Sequence, residues 1–446
     1  MNKKENYLIE SNQFEKNKKK IKQVLNSAMK TEFYSGIYEG IDIDRIDYRQ
    51  FSSLPVLTKT DLKKHMLKMI NRERIAFDEN LYSRLPYEKK RKYLSECGME
   101  LRVTSGSTGV PVEVLKSKKD LARDYLILNV YRRKMTDYDF RGRFLWVWPV
   151  NPSTKKYFYP DEQAMRFWPV NLYGEQYMMY TYSNENLKIM YEYIIKNQVE
   201  WVTISPSAMC CFIEYIERNK LPVPCLKYIE CHSEKLYEWQ RERIQRLFEC
   251  DVVSIYSSNE VQFIAGAWND NSLMLFGENA FLELIKNDYG GRNVFVTSLN
   301  YMDIPIIRYK LGDCGEWTEE KKESNYFELK KYRENDYVIG KDGNKYESFV
   351  LTDSIILLQN TFGIVINKYK IKQVGIFEFD YCFDDTVELF DITRGKALLE
   401  VFLARIFEEH VKVNICISDI DSFILNGTKM KYIEIDQKLL MNKERL

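Results

Sequence analysis

Hydrophobic positions change their periodicity along the chain. Residues 1–100 mix apolar residues with charged helical faces, and Thr58 or Thr60 is expected to cap a helix that begins near Asp61. From about residue 101, short apolar runs alternate with amphipathic stretches. The predicted strands are 144–147, 201–204, 226–229 and 252–255, and the predicted helices are 207–218 and 235–249. This alternation is typical of an α/β fold with a largely parallel sheet.

After Glu260 the pattern becomes richer in strands. Strands are predicted at 273–276, 280–285, 293–298 and 304–309, with a turn at 288–291, and then at 371–380, 386–392 and 411–417 around a helix at 396–410. The predicted organisation is a large N-terminal domain of residues 1–332 and a small mobile α+β domain of residues 338–446. The large domain would comprise a helical part (1–100), an α/β core (101–260) and a β-rich subdomain (261–332).

Composition narrows the classes of function. The 446 residues are 45% hydrophobic, and 66 Lys+Arg balance 65 Asp+Glu, which argues against a chain that coats nucleic acid. No apolar run has the length of a membrane span, and residues 1–20 are charged without an apolar core, so no signal peptide is expected there. The nine cysteines and three histidines are scattered, which favours reduced, mostly buried thiols, a cytoplasmic protein and no metal site built from histidine pairs.

One loop carries the strongest chemical signal. The segment Thr104-Ser-Gly-Ser-Thr-Gly-Val-Pro111 combines hydroxyls with glycines and precedes a predicted strand. Glycine allows close backbone approach, and successive N–H groups in such a turn bind anions. The loop therefore indicates a phosphate site, although a solvated turn between two strands remains open. It is not a Walker A loop, because no Lys-Ser/Thr follows Gly109, and it is not a dinucleotide fingerprint, because Gly-x-Gly-x-x-Gly is absent.

Two later segments have compatible chemistry. In Tyr256-Ser-Ser-Asn-Glu260, a tyrosine face would stack on adenine, and a carboxylate four residues later would hold Mg²⁺. A strand end with an exposed turn is the alternative. In the other segment, a strand is expected to end in a Gly312-Asp313 turn whose carboxylate would accept hydrogen bonds from ribose hydroxyls.

These segments, in this order, resemble the adenylate-forming superfamily of acyl-CoA synthetases, peptide-synthetase adenylation domains and luciferases. The chain is most similar to the phenylacetate–CoA ligase-like branch, which includes deazaflavin-coenzyme adenylating synthetases and CapK-type capsular polysaccharide proteins. Further similarity lies in Leu54-Pro-Val-Leu-Thr-Lys59, Ser233-Glu234, Gly277-Glu-Asn-Ala-Phe-Leu-Glu283 and Thr297-Ser-Leu-Asn300. The resemblance covers roughly residues 50–435.

The resemblance implies roles for individual residues. The phosphate loop would consist of Thr104, Ser105, Gly106, Ser107, Thr108 and Gly109, with Thr108 counted as catalytic. Other nucleotide contacts would come from Ser233, Glu234, Tyr256, Ser258, Asn259, Asp313 and Arg333. Glu260 would bind Mg²⁺, and Asn335 and Asp336 would form a hinge within 333–337. Lys429 would be the catalytic lysine, with Lys431 as the second choice, and two solvated lysines as the structural alternative.

Several positions depart from the family pattern. Ser257 replaces a glycine, Tyr332 stands where glycine usually precedes Arg333, and Thr428 replaces the glycine before the catalytic lysine. Some relatives carry Cys/His zinc ligands after the magnesium glutamate, but Ala267-Trp268 occupies that region, and no zinc is expected.

The implied function is ATP-dependent activation of a carboxylic acid to an acyl-adenylate. The acyl group would then pass to CoA, an amine or a sugar, in polysaccharide or specialised-metabolite biosynthesis. A non-catalytic ATP- or AMP-binding regulator or scaffold is the alternative from another class, and transfer of AMP without a second step is a third. The acid is not read from the sequence, because Trp146, Trp148, Trp168 and Trp201 would line a pocket or simply fill cores.

Overall fold

The computed structural model describes residues 3–103, 113–149, 174–179, 184–233, 236, 238–268, 272–287, 291–318, 325–333, 337–341, 345–347, 349–362, 369–383, 391–417 and 433–435. Within these residues the helices are α1 Lys3–Ala28, α2 Glu32–Ile37, α3 Tyr48–Ser52, α4 Lys59–His65, α5 Glu79–Arg84, α6 Tyr87–Glu96, α7 Lys118–Met135, α8 Asn184–Lys196, α9 Pro206–Arg218, α10 Glu238–Phe248, α11 Phe349–Phe362 and α12 Ile392–Phe407. A short 3₁₀ helix spans Met66–Met69.

The strands of the same residues fall into one large sheet and three small ones. They are β1 Met99–Val103, β2 Glu113–Ser117, β3 Phe144–Pro149, β4 Gly174–Met179, β5 Trp201–Ile204, β6 Tyr228–Cys231, β7 Asp251–Tyr256, β8 Ala265–Trp268, β9 Leu273–Leu275, β10 Ala280–Lys286, β11 Arg292–Ser298, β12 Tyr309–Trp317, β13 Tyr326–Arg333, β14 Tyr337–Ile339, β15 Lys345–Glu347, β16 Tyr369–Gly375, β17 Glu378–Phe383, β18 Lys412–Ile417 and β19 Ile433–Ile435.

The large sheet has a parallel half and an antiparallel half. Its order is β10-β11-β12-β13-β9-β8-β7-β6-β5-β3-β4. Strands β4, β3, β5, β6 and β7 pair in parallel, whereas the pairs from β7 through β9, β13 and β12 to β10 are antiparallel. The predicted α/β fold with an added β-rich part is therefore confirmed. In such sheets, ligands bind outside the carboxyl ends of the parallel strands.

Two strands of the parallel half are fully buried, as expected for strands covered on both faces. All four residues of β5 and of β6 are buried. Helices α8, α9 and α10 cover this region and contribute Met190, Phe212 and Ile244 to its core. Pro206 occupies the first turn of α9, and Ser205 caps the helix by accepting a hydrogen bond from the Ala208 amide.

The N-terminal helices pack on the antiparallel half. Phe14 of α1 and Phe51 of α3 contact Phe281 of β10 in one core. Thr58 caps α4 through a capping box with Asp61, which confirms Thr58 rather than Thr60 as the cap.

The C-terminal residues form a separate mixed sheet of order β18-β17-β16-β19 with its own core, to which α11 and α12 contribute. Two cysteines in this sheet correct the expectation of reduced thiols. Cys382 and Cys416 lie directly opposite each other on the parallel strands β17 and β18 and form a disulfide. Cys231 and Cys314 are buried and lie outside the disulfide, whereas Cys225 is exposed.

Two predicted strands are wrong. The stretch 371–380 is a hairpin of β16 and β17, because Phe377 takes a positive φ of 57° in the turn between them. The stretch 304–309 is irregular up to Tyr309. Arg308 there has a φ of 49°, and its guanidinium is buried against the Glu283 carboxylate, with Nε–Oε2 at 2.8 Å. In both places a large side chain reaches the core from a bent backbone, which an alternation pattern does not reveal.

Candidate active site

Two crossed tyrosine–carboxylate hydrogen bonds join the end of β7 to the start of β12. The Tyr256 hydroxyl donates to Asp313 Oδ2 at 2.7 Å, and the Tyr309 hydroxyl donates to Glu260 Oε1 at 2.8 Å. Each segment therefore contributes one tyrosine and, four residues later, one carboxylate. This arrangement brings together the two carboxylates that the sequence singled out, Glu260 and Asp313, although they lie far apart in the chain.

The turn after β7 is held by its own side chains. The Ser257 hydroxyl accepts a hydrogen bond from the Phe263 amide at 3.0 Å, and the Ser258 hydroxyl accepts one from the Val261 amide at 3.0 Å. The Ile264 amide donates a hydrogen bond to the Tyr256 backbone carbonyl at 2.9 Å. Serine at position 257, where the family pattern has glycine, thus helps to close the turn that carries Glu260.

Asp313 lies inside a strand, which corrects the predicted turn. Gly312 and Asp313 belong to β12, and the β12–β13 register shifts between Asp313 and Gly315. Gly312 has a φ of 87°, a conformation that favours glycine. In the β12–β13 ladder, Arg333 is the register partner of Asp313, so its backbone lies beside the predicted ribose-binding carboxylate.

The strand after the hydroxyl-rich loop is tied to Glu260. Strands β1 and β2 pair with Val103 opposite Glu113, so the two ends of the loop segment are adjacent. Three residues after Glu113, the side chain of Lys116 is buried, and its ammonium donates a hydrogen bond to the backbone carbonyl of Glu260. The same ammonium lies 3.8 Å from the ring centroid of Tyr301, within cation–π range.

Lys116 belongs to a buried cluster of ionisable groups. Burial lowers the pKa of Lys116 to about 7, against the attraction of Asp124 and Glu260. Burial raises the pKa of Asp124 to about 7, although the Tyr301 hydroxyl donates to it at 2.6 Å. Burial, with repulsion from Asp303, also raises the pKa of Asp120 to about 7. Clusters of perturbed groups of this kind are enriched at functional sites.

Ser233 follows the neighbouring parallel strand. In the β6–β7 ladder, Cys231 pairs with Ser254, so Ser233 and Tyr256 each come two residues after paired positions. Ser233 has a φ of 70° and is exposed, and its hydroxyl lies 2.7 Å from His232 Nδ1. Ser233 therefore lies at the same edge of the sheet as the crossed pairs.

The remaining predicted site residues are outside the described residues. They are Thr104, Ser105, Gly106, Ser107, Thr108, Gly109, Glu234, Asn335, Asp336, Lys429 and Lys431. Asn259 is half-buried in the turn before Glu260, and Arg333 is described only through its backbone. The roles assigned to all of these residues stay predictions.

Glu260 is a suitable ligand for a magnesium ion that is also coordinated by nucleotide phosphates. Mg²⁺ usually takes one or two protein carboxylates and completes its shell with phosphate oxygens and water. A single buried glutamate held by Tyr309 meets that requirement. Among the described residues, no group of three or more His, Cys, Asp or Glu side chains has the geometry of an all-protein metal site.

Sequence reasoning missed Tyr309 and Lys116, and it gave His232 only a structural role. Tyr309 and Glu260 are 49 residues apart, and Lys116 and Glu260 are 144 apart. The one available signal was a lysine directly after the mostly apolar run 112–115, within the predicted strand region, because a lysine is rarely buried unless it is paired.

Comparison with known proteins shows the fold. A structure of 2-hydroxyisobutyryl-CoA ligase in the postadenylation state, in complex with R3-HIB-AMP, is 13% identical, with a TM-score of 0.60, over 96% of this chain and 90% of that one. The acyl acid amido synthetase AtGH3.15, in complex with 2,4-DB, is 13% identical, with a TM-score of 0.50, over 98% and 94% of the two chains.

No protein-family model matches the sequence, and no curated protein matches it. Among the residues that the structure describes, no helix is both long and apolar enough to cross a membrane. The structural neighbours are adenylate-forming enzymes. The chain therefore has the mixed α/β fold of the adenylate-forming ligases, with its large N-terminal part.

Proposed function

We propose that the protein activates a carboxylic acid with ATP to give an acyl-adenylate and then transfers the acyl group to CoA or another acceptor. The observation that carries this proposal is the pair of crossed bonds that sets Glu260 and Asp313 on two adjoining segments at the carboxyl edge of the parallel strands. The fold supports it, since one structural neighbour has been captured with 2-HIB-AMP and CoA in its thioesterification state.

Each carboxylate has a distinct task in this proposal. Glu260 would hold Mg²⁺, which supplies charge neutralisation for the phosphates when it is bound. Asp313 would accept hydrogen bonds from the two ribose hydroxyls, with Tyr256 fixing one of its oxygens. Ser233 and the turn residues Ser258 and Asn259 would flank the base.

The reaction needs positioning and charge stabilisation more than covalent chemistry. A substrate carboxylate oxygen attacks the α-phosphorus, the bond to the bridging oxygen breaks, and pyrophosphate leaves with its electron pair. The loop 104–109 would hold the leaving phosphates, and Lys429 would lie over the reacting carboxylate. Alignment of two bound reactants and preorganised charge supply most of the rate enhancement in such a step.

Finer features of the proposal rest on the sequence resemblance. We place the chain in the phenylacetate–CoA ligase-like branch, with CapK-type proteins, and propose a cytoplasmic enzyme with a hinge at 333–337 and a mobile domain of residues 338–446. CoA, an amine or a sugar would be the acceptor, and no zinc would be needed.

Acid-dependent exchange of pyrophosphate into ATP tests the proposal. Purified protein would be screened over aryl, amino and hydroxy acids with Mg²⁺. Glu260→Ala and Lys429→Ala should each lower exchange by about 10²–10³-fold, as loss of a charge-stabilising group does, and should leave the circular dichroism spectrum unchanged. Glu39→Ala is the matched control, because Glu39 is exposed and lies outside the crossed pairs. Full exchange in both site variants would refute these assignments.

A non-catalytic nucleotide-binding protein is the second candidate, and the departures at Tyr332 and Thr428 favour it. It predicts ATP or AMP binding with no exchange for any acid. The third departure does not support it, because Ser257 is integrated into the turn through the Phe263 amide. Isothermal titration of ATP beside the exchange assay separates the two functions.

A further inference from the structure

A chain of three polar side chains leads from the interior of the parallel sheet to its carboxyl edge. Trp146 in β3 places its indole Nε1 at 3.2 Å from His232 Nε2, and His232 Nδ1 lies 2.7 Å from the Ser233 hydroxyl. Trp146 is half-buried, His232 is buried and Ser233 is exposed. The chain therefore connects a core position with a hydroxyl that faces solvent beside Tyr256.

The donor at one end determines the direction of both bonds. An indole nitrogen only donates, so His232 Nε2 must accept and cannot carry the proton. Burial lowers the pKa of His232 to about 4. Glu230 and a hydrogen bond from the ring to the Thr203 backbone oppose this shift, and Arg132 adds to it. The ring is therefore neutral near pH 7, and its one proton resides on Nδ1, which donates to the Ser233 oxygen.

This arrangement fixes the orientation of the Ser233 hydroxyl. A hydroxyl has one proton and two lone pairs, and one lone pair of Ser233 Oγ is engaged by His232. The hydroxyl proton is then directed away from the ring, toward the exposed side. The left-handed backbone at Ser233, with φ at 70°, is a conformation that a non-glycine residue seldom adopts without a compensating contact.

We propose that Trp146 and His232 are positioning residues that fix the Ser233 hydroxyl as a hydrogen-bond donor toward an acceptor atom of the bound nucleotide. This inference rests on the proposed function for the identity of the ligand. The tautomer and its consequence for Ser233 rest on the geometry alone, so the two parts are tested separately.

Nitrogen NMR of the histidine side chains tests the tautomer without any ligand. The chain has three histidines, so protein with ¹⁵N-labelled histidine gives three ring patterns, and His65→Gln and His410→Gln variants identify the signal of His232. The expected result is a neutral ring with its proton on Nδ1 that stays neutral down to about pH 5. A proton on Nε2, or protonation near the ordinary histidine pKa, would overturn the inference. Trp146→Phe removes only the donor and should shift the proton toward Nε2.

Affinity for ATP tests the positioning role. Ser233→Ala and His232→Leu should each weaken ATP binding by roughly tenfold, the size expected for one hydrogen bond. The double variant should be no weaker than either single one, since both remove the same interaction. His232→Asn should recover most of the affinity, because an asparagine amide nitrogen occupies the place of Nδ1, and His410→Leu, at an exposed position, should bind as the wild type does.

Three outcomes count against the proposal. Additive losses in the double variant would show that His232 acts independently of Ser233. Equal loss in the Leu and Asn variants would show that His232 matters only for packing. Absence of ATP binding by the wild-type protein would refute the proposed function and the nucleotide part of this inference, while the NMR result would still decide the tautomer.

Discussion

Two buried groups of charges lie close to the candidate site, and they are organised in opposite ways. Arg132 and Glu230 form a fork in which Nε and Nη2 donate to the two carboxylate oxygens, each at 2.6 Å. Burial works against the charge of Glu230, yet Arg132 keeps the pKa of that carboxyl below its usual range. Among the described residues, the Lys116 cluster contains no such two-bond pairing, and burial moves the pKa values of Lys116 and Asp124 to about 7.

The difference separates a structural ion pair from a group that is poised for function. In a buried ion pair whose charges are fully hydrogen-bonded to each other, removal of either partner alone strongly destabilises the fold. Lys116 lies beside Glu260 in an environment that disfavours its charged form, and this destabilises the fold. Proteins retain such groups where activity needs them. The comparison therefore predicts opposite stability changes when the two cations are removed.

Removal of Arg132 should have the largest effect on stability. Arg132→Met leaves the Glu230 carboxylate buried without its counter-charge, which typically costs about 3–5 kcal/mol. Urea unfolding at pH 7 would measure this loss. Arg132→Met/Glu230→Leu should recover much of it, and a single variant as stable as the wild type would remove the distinction between the two groups.

Removal of Lys116 should raise stability and lower activity. Lys116→Met should lower acid-dependent exchange by about tenfold, because the hydrogen bond that fixes the Glu260 carbonyl is lost. The same variant should unfold with a free energy about 1 kcal/mol higher at pH 7, because burying an ammonium costs more than burying a thioether. A loss of both activity and stability would indicate a packing role for Lys116.

The stability gain in Lys116→Met should depend on pH. Lys116 has a lower pKa in the folded state than in the unfolded state, so it does not destabilise the fold above its unfolded pKa, near 10.5. As the pH falls toward the folded pKa of about 7, the unfolded state binds a proton that the folded state does not, and the free energy of unfolding decreases. The difference between variant and wild type should therefore increase from pH 10 to pH 7 and then level off. Chemical unfolding at four pH values measures it, and a difference that is flat with pH would contradict the lowered pKa.

Loss of one hydroxyl from the crossed pairs should have the smallest effect. Tyr309→Phe should raise the KM for magnesium–ATP by about fivefold, since Glu260 loses one hydrogen bond but keeps its place. Tyr256→Phe should raise the KM by a similar factor through Asp313. Equal KM values in the wild type and both variants would show that the crossed pairs do not position the carboxylates.

Local patterns predicted elements well and contacts poorly. The strand at 201–204 was predicted with its observed bounds, because an unbroken apolar run reads as a buried strand and all four residues are indeed buried. The hairpin at 369–383 was missed because Phe377, a buried apolar residue, occupies its turn. A polar residue or glycine at that position would have indicated a turn.

The site shows the same division. Glu260 and Asp313 were predicted from the residue types of their segments, and the structure brings those segments together. The contact of Lys116 with the Glu260 carbonyl could not be predicted, because it depends on how the hairpin of β1 and β2 packs against the turn after β7. Residue type is visible in a sequence, whereas the pairing of distant segments depends on tertiary packing.

The most direct test of the central claim is acid-dependent ATP–pyrophosphate exchange by the wild-type protein, measured beside Glu260→Ala over a panel of carboxylic acids. The account predicts exchange with at least one acid and a loss of about 10²–10³-fold in the variant. A folded wild-type protein that binds ATP but supports no exchange with any acid would contradict it.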